Sequence, residues 1–302
     1  MSKHHSEVAR DISYATSVSG RSGRVLVRAM ENATGRLSLI RKARGYDVEV
    51  AAGQDFWDVI VARYGLELQI IGGSLENIPQ TGPLIVVSNH PYGILDGLML
   101  GRIMSRRRGG DFRVLAHEIF RKAPDLKRVI LPISFDTTKE AAKLNLETRA
   151  AAVAYIAQGG AIGVFPGGTV STSATPFSTP LDPGWRTFTA KMIAKSGATV
   201  VPIFFEGRNS RLFQLVSHLH ANLRTGLLIR EFRKRINKPV RIVVGDPIGP
   251  EVLDRFKKDP LACMDFLRKA TYDLSPSPID SDEYGYEVDL KYKVRDGSRH
   301  IR

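Results

Sequence analysis

Residues 84–97 read Leu84-Ile85-Val86-Val87-Ser88-Asn89-His90-Pro91-Tyr92-Gly93-Ile94-Leu95-Asp96-Gly97. The first four are apolar and mostly β-branched, without polar alternation, which is the pattern of a parallel strand buried on both faces. The polar residues and Pro91 that follow must leave the strand. His90 is therefore expected at a strand's carboxyl end, where open α/β sheets keep their ligand crevices because loops converge there over fixed roots. Asp96 stands just before Leu98-Met99-Leu100, which begins a helical pattern. A carboxylate that receives an imidazole N–H holds one tautomer and leaves the other nitrogen to take a proton from a hydroxyl. Asp96 equally fits a helix N-cap and His90 an ordinary loop position, so the pair needs support from the rest of the chain.

The 302 residues suffice for one large α/β domain with an N-terminal extension. With 43% hydrophobic and 25% charged residues, composition points to a folded protein and to neither a disordered nor a fibrous class. The single cysteine, Cys263, excludes an intrachain disulfide and a Cys-based zinc site, and fits a reducing compartment. A formal net charge of +13 calls for an acidic partner: nucleic acid, an anionic membrane face, or acidic substrates such as phospholipids, coenzyme A and acyl carrier protein. No window is apolar enough to span a bilayer, and the amino terminus, with His4-His5, is not a signal peptide. The chain is expected to be soluble or to lie on a membrane surface.

Residues 1 to 22 read as a loose polar arm. From Arg24, the residues Leu26, Met30, Ala33, Leu37 and Ile40 fall on one helical stripe, flanked by Arg21, Arg24, Arg28, Arg36, Arg41, Lys42 and Arg44 against a single acid, Glu31. Such a stripe suits an interfacial helix whose cations meet lipid phosphates, and equally a helix packed on the domain with a solvated basic face; Gly35 weakens it either way. Beyond it the pattern predicts a helix over 55–64 and strands at 66–71, 84–87, 112–116, 130–135, 161–165, 199–205 and 240–245. Further helices are expected near 95–104, 137–158, 185–195, 211–236 and 251–274. Alternating strands and helices make a mostly parallel sheet covered by helices.

Two further stretches carry chemistry. Pro166-Gly167-Gly168-Thr169-Val170-Ser171 follows a strand; paired glycines let N–H groups face an anion, and the hydroxyls of Thr169 and Ser171 add donors, although a plain turn has the same composition. After Val200-Val201-Pro202-Ile203-Phe204, where Pro202 suits a strand margin, Arg208 and Arg211 can meet a phosphate or carboxylate bidentately. Other chemistries lack their parts. His117-Glu118 meets Arg121 where a zinc-protease helix needs His, His218 and His220 have no third ligand nearby, and no nucleophile elbow, P-loop or dinucleotide fingerprint occurs.

Asn89-His90 with Asp96 resembles the first motif of the lysophospholipid and glycerol-phosphate acyltransferase superfamily, whose usual form has four residues between His and Asp where this chain has five. Its Pro-Tyr-Gly-Ile-Leu insert is similar to the hemolysin-like and ornithine-lipid O-acyltransferase branch. Phe165-Pro166-Gly167-Gly168-Thr169-Val170-Ser171 resembles the third motif, Phe-Pro-Glu-Gly-Thr-Arg-Ser, with Gly167 for the Glu and Val170 for the Arg that are associated with gripping glycerol phosphate. The apolar strand with Pro202 resembles the fourth motif, and 117–133, with Phe120, Arg121 and Pro132, stands in place of the second. The likeness covers about residues 65 to 250.

What the resemblance implies is acyl transfer from an acyl carrier protein or coenzyme A thioester to a lipid hydroxyl, on an α/β fold. His90 would be general base and Asp96 its orienting partner. Asn89, Gly167, Gly168, Thr169, Ser171, Arg208 and Arg211 would bind substrate, and Gly167, Gly168 and Thr169 would donate to the oxyanion or a phosphate. No metal and no cofactor are expected. Gly167 and Val170 favour a larger lysolipid, such as a lyso-ornithine lipid, over glycerol phosphate. The expected division is an N-terminal arm with amphipathic helices over 1–64, an acyltransferase domain over 65–274 and a tail over 275–302. The location expected is cytoplasmic, peripheral on the inner face of an anionic membrane, without nucleic acid. The alternative is a basic module that binds membrane or nucleic acid without catalysis.

Overall fold

Leu84–Ser88 is buried throughout and forms the central strand of a seven-stranded sheet. The computed structural model describes residues 13–288, apart from 19, 135 and 137. Residues 1–12 of the arm, the tail beyond 288, Phe135 of an expected strand and Thr137 of an expected helix start lie outside the described residues.

The strands are β1 (Glu67–Gly72), β2 (Leu84–Ser88), β3 (Arg113–His117), β4 (Ile130–Ile133), β5 (Ala161–Val164), the short hairpin strands β6 (Thr172–Ser173) and β7 (Pro180–Leu181), β8 (Thr199–Phe205) and β9 (Pro239–Val244). The main sheet runs β1-β9-β8-β2-β5-β3-β4 and is parallel except where β9 meets β8. Val87 pairs with Val164 on one side and Pro202 on the other, so the carboxyl ends of β5, β2 and β8 lie side by side.

Alternation along β2 explains its unbroken apolar run. Leu84 and Val86 enter one core with Trp57, Leu95, Met99 and Phe232, whereas Ile85 and Val87 enter another with Ile156, Met192, Met264 and Leu267. Helices therefore cover both faces, and each fully buried aliphatic side chain contributes about 1.5–3 kcal/mol of transfer free energy.

Several expected elements divide where the backbone demands it. The helix expected over 24–44 is two helices, Arg21–Thr34 and Arg36–Ala43, broken at Gly35 with φ 124°. The segment 211–236 splits into Arg211–Leu219 and Ala221–Arg235, with the extended His220 between them capping the second. Pro260 starts the last long helix, Pro260–Tyr272, after the short turn Pro250–Leu253.

Pro202 lies within β8, not at a strand margin. Val200 exchanges two hydrogen bonds with Ile248, so by alternation Pro202 faces the same side, where its carbonyl accepts from the Gly245 N–H at 2.8 Å. The missing proline N–H thus falls at the irregular segment after β9, where the ladder is already interrupted.

The N-terminal segment is less loose than its composition suggests. Ser13, Ala15 and Val18 are buried, and Glu31, fully buried, accepts from the Tyr14 N–H at 2.8 Å and from the Ser13 hydroxyl. The apolar stripe is also divided. Val27, Leu39 and Arg36 face the domain, while Val25, Leu26 and Leu37 face solvent.

Candidate active site

At the end of β2 the chain leaves the sheet through Asn89, whose side chain replaces the ladder. Its Nδ2 donates to the Phe205 carbonyl at 2.9 Å and its Oδ1 accepts from the Phe205 N–H at 2.7 Å. Pro91 turns the chain, and Gly93, with φ 87° and ψ −114°, caps the helix Ile94–Arg108. That backbone region is open almost only to glycine, and an added Cβ would meet Val170 at 3.2 Å and Leu228 at 3.5 Å.

Asp96 sits in the first turn of this helix and is fully buried. Its Oδ2 accepts from the N–H groups of Tyr92 at 2.8 Å and Gly93 at 2.9 Å, and lies 3.0 Å from His90 Nδ1. Capping and orientation are therefore done by one oxygen. The His90 contact is close in distance but does not meet the angle of a regular hydrogen bond. Burial raises the Asp96 carboxyl above its ordinary range, and His90 and the two N–H groups oppose that shift.

The imidazole stacks on Phe165 at 4.1 Å between ring centres and keeps 18% of its side chain exposed. The Phe165–Ser171 loop is stitched to it: the Ser171 N–H donates to the His90 carbonyl at 2.8 Å. With Nδ1 turned to Asp96, Nε2 is the nitrogen left for a substrate hydroxyl.

The remaining sequence candidates divide sharply. Asn89 and Ser171 are 3% and 2% exposed, and their side chains are committed to Phe205 and to Asp182, which makes them scaffold where substrate contact was expected. The Gly168 N–H closes a turn onto the Phe165 carbonyl at 3.0 Å and is not presented to an anion. Gly167, expected to bind substrate, is buried, and the volume beside it is filled by Asp182. Thr169 Oγ1 accepts from Arg224 Nη2 at 3.0 Å and keeps its own O–H to donate. Arg211 Nη1 donates to the carbonyls of Phe177 and Ser178, and Arg208 is exposed.

Sequence reading missed Asp182, Trp185, Arg186 and Arg224. Arg224, which burial lowers to about 10, also donates to the Val170 carbonyl at 2.8 Å. Arg186 pairs with Glu287 at 2.6 Å beside Gly168. Residues 275–288, read from sequence as part of a tail, supply Glu287 to this pair and pass along the β6–β7 hairpin: Tyr286 N–H donates to the Thr172 carbonyl at 2.9 Å. Asp182-Pro183-Gly184 reads as a bare turn, and the fully buried state of its acid leaves no mark in the pattern.

An apolar cavity of about 120 Å³ opens behind the first turns of the helix that carries Asp96, lined by Ile94, Leu98, Phe120, Ile229 and Phe232, with Arg36 as its charged member. Among the described residues no cluster of His, Cys, Asp and Glu could hold a metal ion, and no helix is long and apolar enough to cross a membrane.

A mostly parallel sheet with a His–Asp pair at the carboxyl ends of its central strands defines a class of α/β enzyme, and comparison with known proteins identifies which. The family model described as Acyltransferase matches residues 48–280, and the chain belongs to that family, within the lysophospholipid acyltransferase superfamily. The lyso-glycine lipid O-acyltransferase of Phocaeicola vulgatus is 28% identical over 235 residues, 76% of this chain and 80% of that protein. Its counterpart from Bacteroides thetaiotaomicron is 26% identical over 229 residues, 74% of this chain and 80% of that one. The crystal structure of the 1-acyl-sn-glycerophosphate (LPA) acyltransferase PlsC from Thermotoga maritima superposes with a TM-score of 0.47 at 15% identity, over 85% of this chain and 98% of that chain. The protein is thus an acyltransferase of the lysolipid type, which removes the alternative of a module without catalysis.

Proposed function

We propose that the protein esterifies the hydroxyl of an amino-acid lysolipid, a lyso-ornithine or lyso-glycine lipid, with a fatty acyl group from an acyl carrier protein or coenzyme A thioester, and that His90 is its general base. The observation that carries this reading is the 3.0 Å approach of His90 Nδ1 to buried Asp96 at the carboxyl ends of adjacent strands. His90 Nε2 takes the proton as the hydroxyl oxygen attacks the thioester carbonyl. The tetrahedral oxyanion then collapses, the C–S bond breaks, and the imidazolium returns the proton to the departing thiolate. Asp96 holds the imidazole and stabilises its charged form, and the Thr169 hydroxyl is the oxyanion donor that the turn leaves available. The apolar cavity behind Ile94 and Leu98 suits the acyl chain. The relatives' lyso-glycine lipid acceptors support an amino-acid lysolipid.

The reaction would take place on the cytoplasmic face of an anionic membrane, without a spanning helix. Supporting this are the solvent-facing Val25, Leu26 and Leu37 among exposed Arg21, Arg24, Arg41, Lys42 and Arg44. A second outward apolar face, Leu212, Leu215 and Leu219, follows Arg211 and neighbours the exposed Phe177.

The deciding experiment supplies purified protein with each thioester and with lyso-ornithine lipid, lyso-glycine lipid or lysophosphatidic acid. Ester formed on an amino-acid lysolipid and lost in a folded His90→Ala variant is the expected result. Acylation of lysophosphatidic acid alone, or full activity of that variant, overturns it.

A further inference from the structure

Asp182 is fully buried in the turn that follows β7. Its Oδ1 accepts from the His90 N–H at 3.2 Å and from the Ser171 hydroxyl at 2.5 Å, and its Oδ2 accepts from Trp185 Nε1 at 3.0 Å. Its own main chain is anchored as well. The Asp182 N–H donates to the Tyr272 hydroxyl at 2.7 Å, and its carbonyl accepts from Arg268 Nη2 at 3.1 Å and the Gly285 N–H at 2.9 Å. A Cβ built on Gly167 would stand 3.2 Å from Asp182 Cβ and 3.3 Å from its Cγ and Oδ2.

We propose that Asp182 is the positioning residue of this site: its carboxylate reaches across to the volume beside Gly167 and sets the His90 loop against the Phe165–Ser171 loop. A buried carboxylate is costly unless donors surround it, and two of its three donors come from the two loops that hold the imidazole. Both meet the same oxygen, so a shift of one loop is passed to the other. Glycine at 167 follows from this arrangement, since a side chain there would crowd the Asp182 carboxylate. The space beside Gly167 is thus a filled joint between loops. The inference rests on the acyl-transfer reading of His90 and adds a residue that acts through the main chain of that histidine.

The test uses the full-length protein in the acyl-transfer assay, with rates expressed per folded molecule. Asp182→Asn keeps the shape but removes the charge and one acceptor oxygen; kcat is expected to fall about tenfold or more, as small misplacements of catalytic groups do. The acceptor KM should stay within about threefold, because the lost interaction acts on the reacting geometry and not on ground-state binding. Gly167→Glu in an Asp182→Ala background returns a carboxylate to the joint from the opposite loop and should recover kcat about fivefold or more over Asp182→Ala alone. Gly167→Glu by itself crowds two carboxylates together and should lower activity. The proposal is overturned if Asp182→Asn retains kcat within about twofold, or if the double variant folds without regaining turnover, since Asp182 would then serve stability alone. Wild-type protein inactive on every acceptor would strike the acyl-transfer reading, whereas active wild type with an unaffected Asp182→Asn strikes only this one.

Discussion

The side-chain amide of Asn89 and the main chain of Phe205 exchange two hydrogen bonds, at 2.9 and 2.7 Å, beyond the last backbone pairing of β2 with β8. A side chain therefore continues the sheet for one more residue and fixes the point from which His90 departs. Asn89→Ala would leave the buried N–H and C=O of Phe205 without partners, at about 1–3 kcal/mol for each. Urea unfolding should record a loss of that size, and turnover should fall with it. Undiminished stability would show that water or a neighbour replaces the amide at no cost.

Removal of the imidazole tests chemistry and not scaffold. His90→Ala should lower kcat by about 10² to 10⁴, the usual contribution of a positioned general base. Because the His90 main chain carries the contacts to Asp182 and Ser171, the variant should melt close to wild type, which differential scanning calorimetry can check.

The raised pKa of Asp96 gives a signed pH dependence. Below its elevated value the carboxyl is protonated and His90 loses its anion, so kcat/KM should fall on the acid side at a higher pH than an ordinary aspartate would allow. Stability runs the other way. A folded-state pKa above the unfolded one means that Asp96's contribution is complete below the ordinary carboxylate value and declines as pH rises through the raised value. Thermal melts of wild type and Asp96→Asn across that window should therefore diverge toward higher pH, with the wild type losing ground.

Gly93 cannot be replaced cheaply. Gly93→Ala would place a Cβ 3.2 Å from Val170 on a backbone with φ 87° and ψ −114°, so about 1–3 kcal/mol of stability should be lost. The acyl-transfer rate should drop too, since Gly93 gives Asp96 one of its hydrogen bonds.

Membrane attraction is expected at roughly 1 kcal/mol for each basic residue near an anionic surface. Replacing exposed Arg21, Arg24 and Arg41 with Glu should sharply reduce flotation with phosphatidylserine vesicles. Arg36 is unsuitable for this test because it is buried against the domain. Binding unchanged in the triple variant would move the contact to the Leu212–Leu219 face.

The core of the fold was legible because β2 announces itself: an apolar run buried on both faces leaves no alternation to misread. The approach of His90 and Asp96 was legible because both follow that run closely and lie six positions apart. Asp182 was not, because it contacts the His90 main chain from 92 residues away and its turn looks like any other. Burial of Asn89 and Ser171 was hidden for a related reason, since a polar residue beside a motif reads as exposed until the partner that satisfies it is located. Gly35 and Pro260 carried the helix breaks in their identity, and His220 did not.

Gly285 packs its main chain directly against the carbonyls of Leu181 and Thr172, and Arg268 donates to the carbonyls of Asp182, Ser281 and Glu283. These contacts fasten Asp182 from the far end of the sequence. The joint that steadies the His–Asp pair is therefore closed by residues distant in sequence, so a substitution at Arg268 or Gly285 reaches the imidazole through Asp182 without touching either loop beside it.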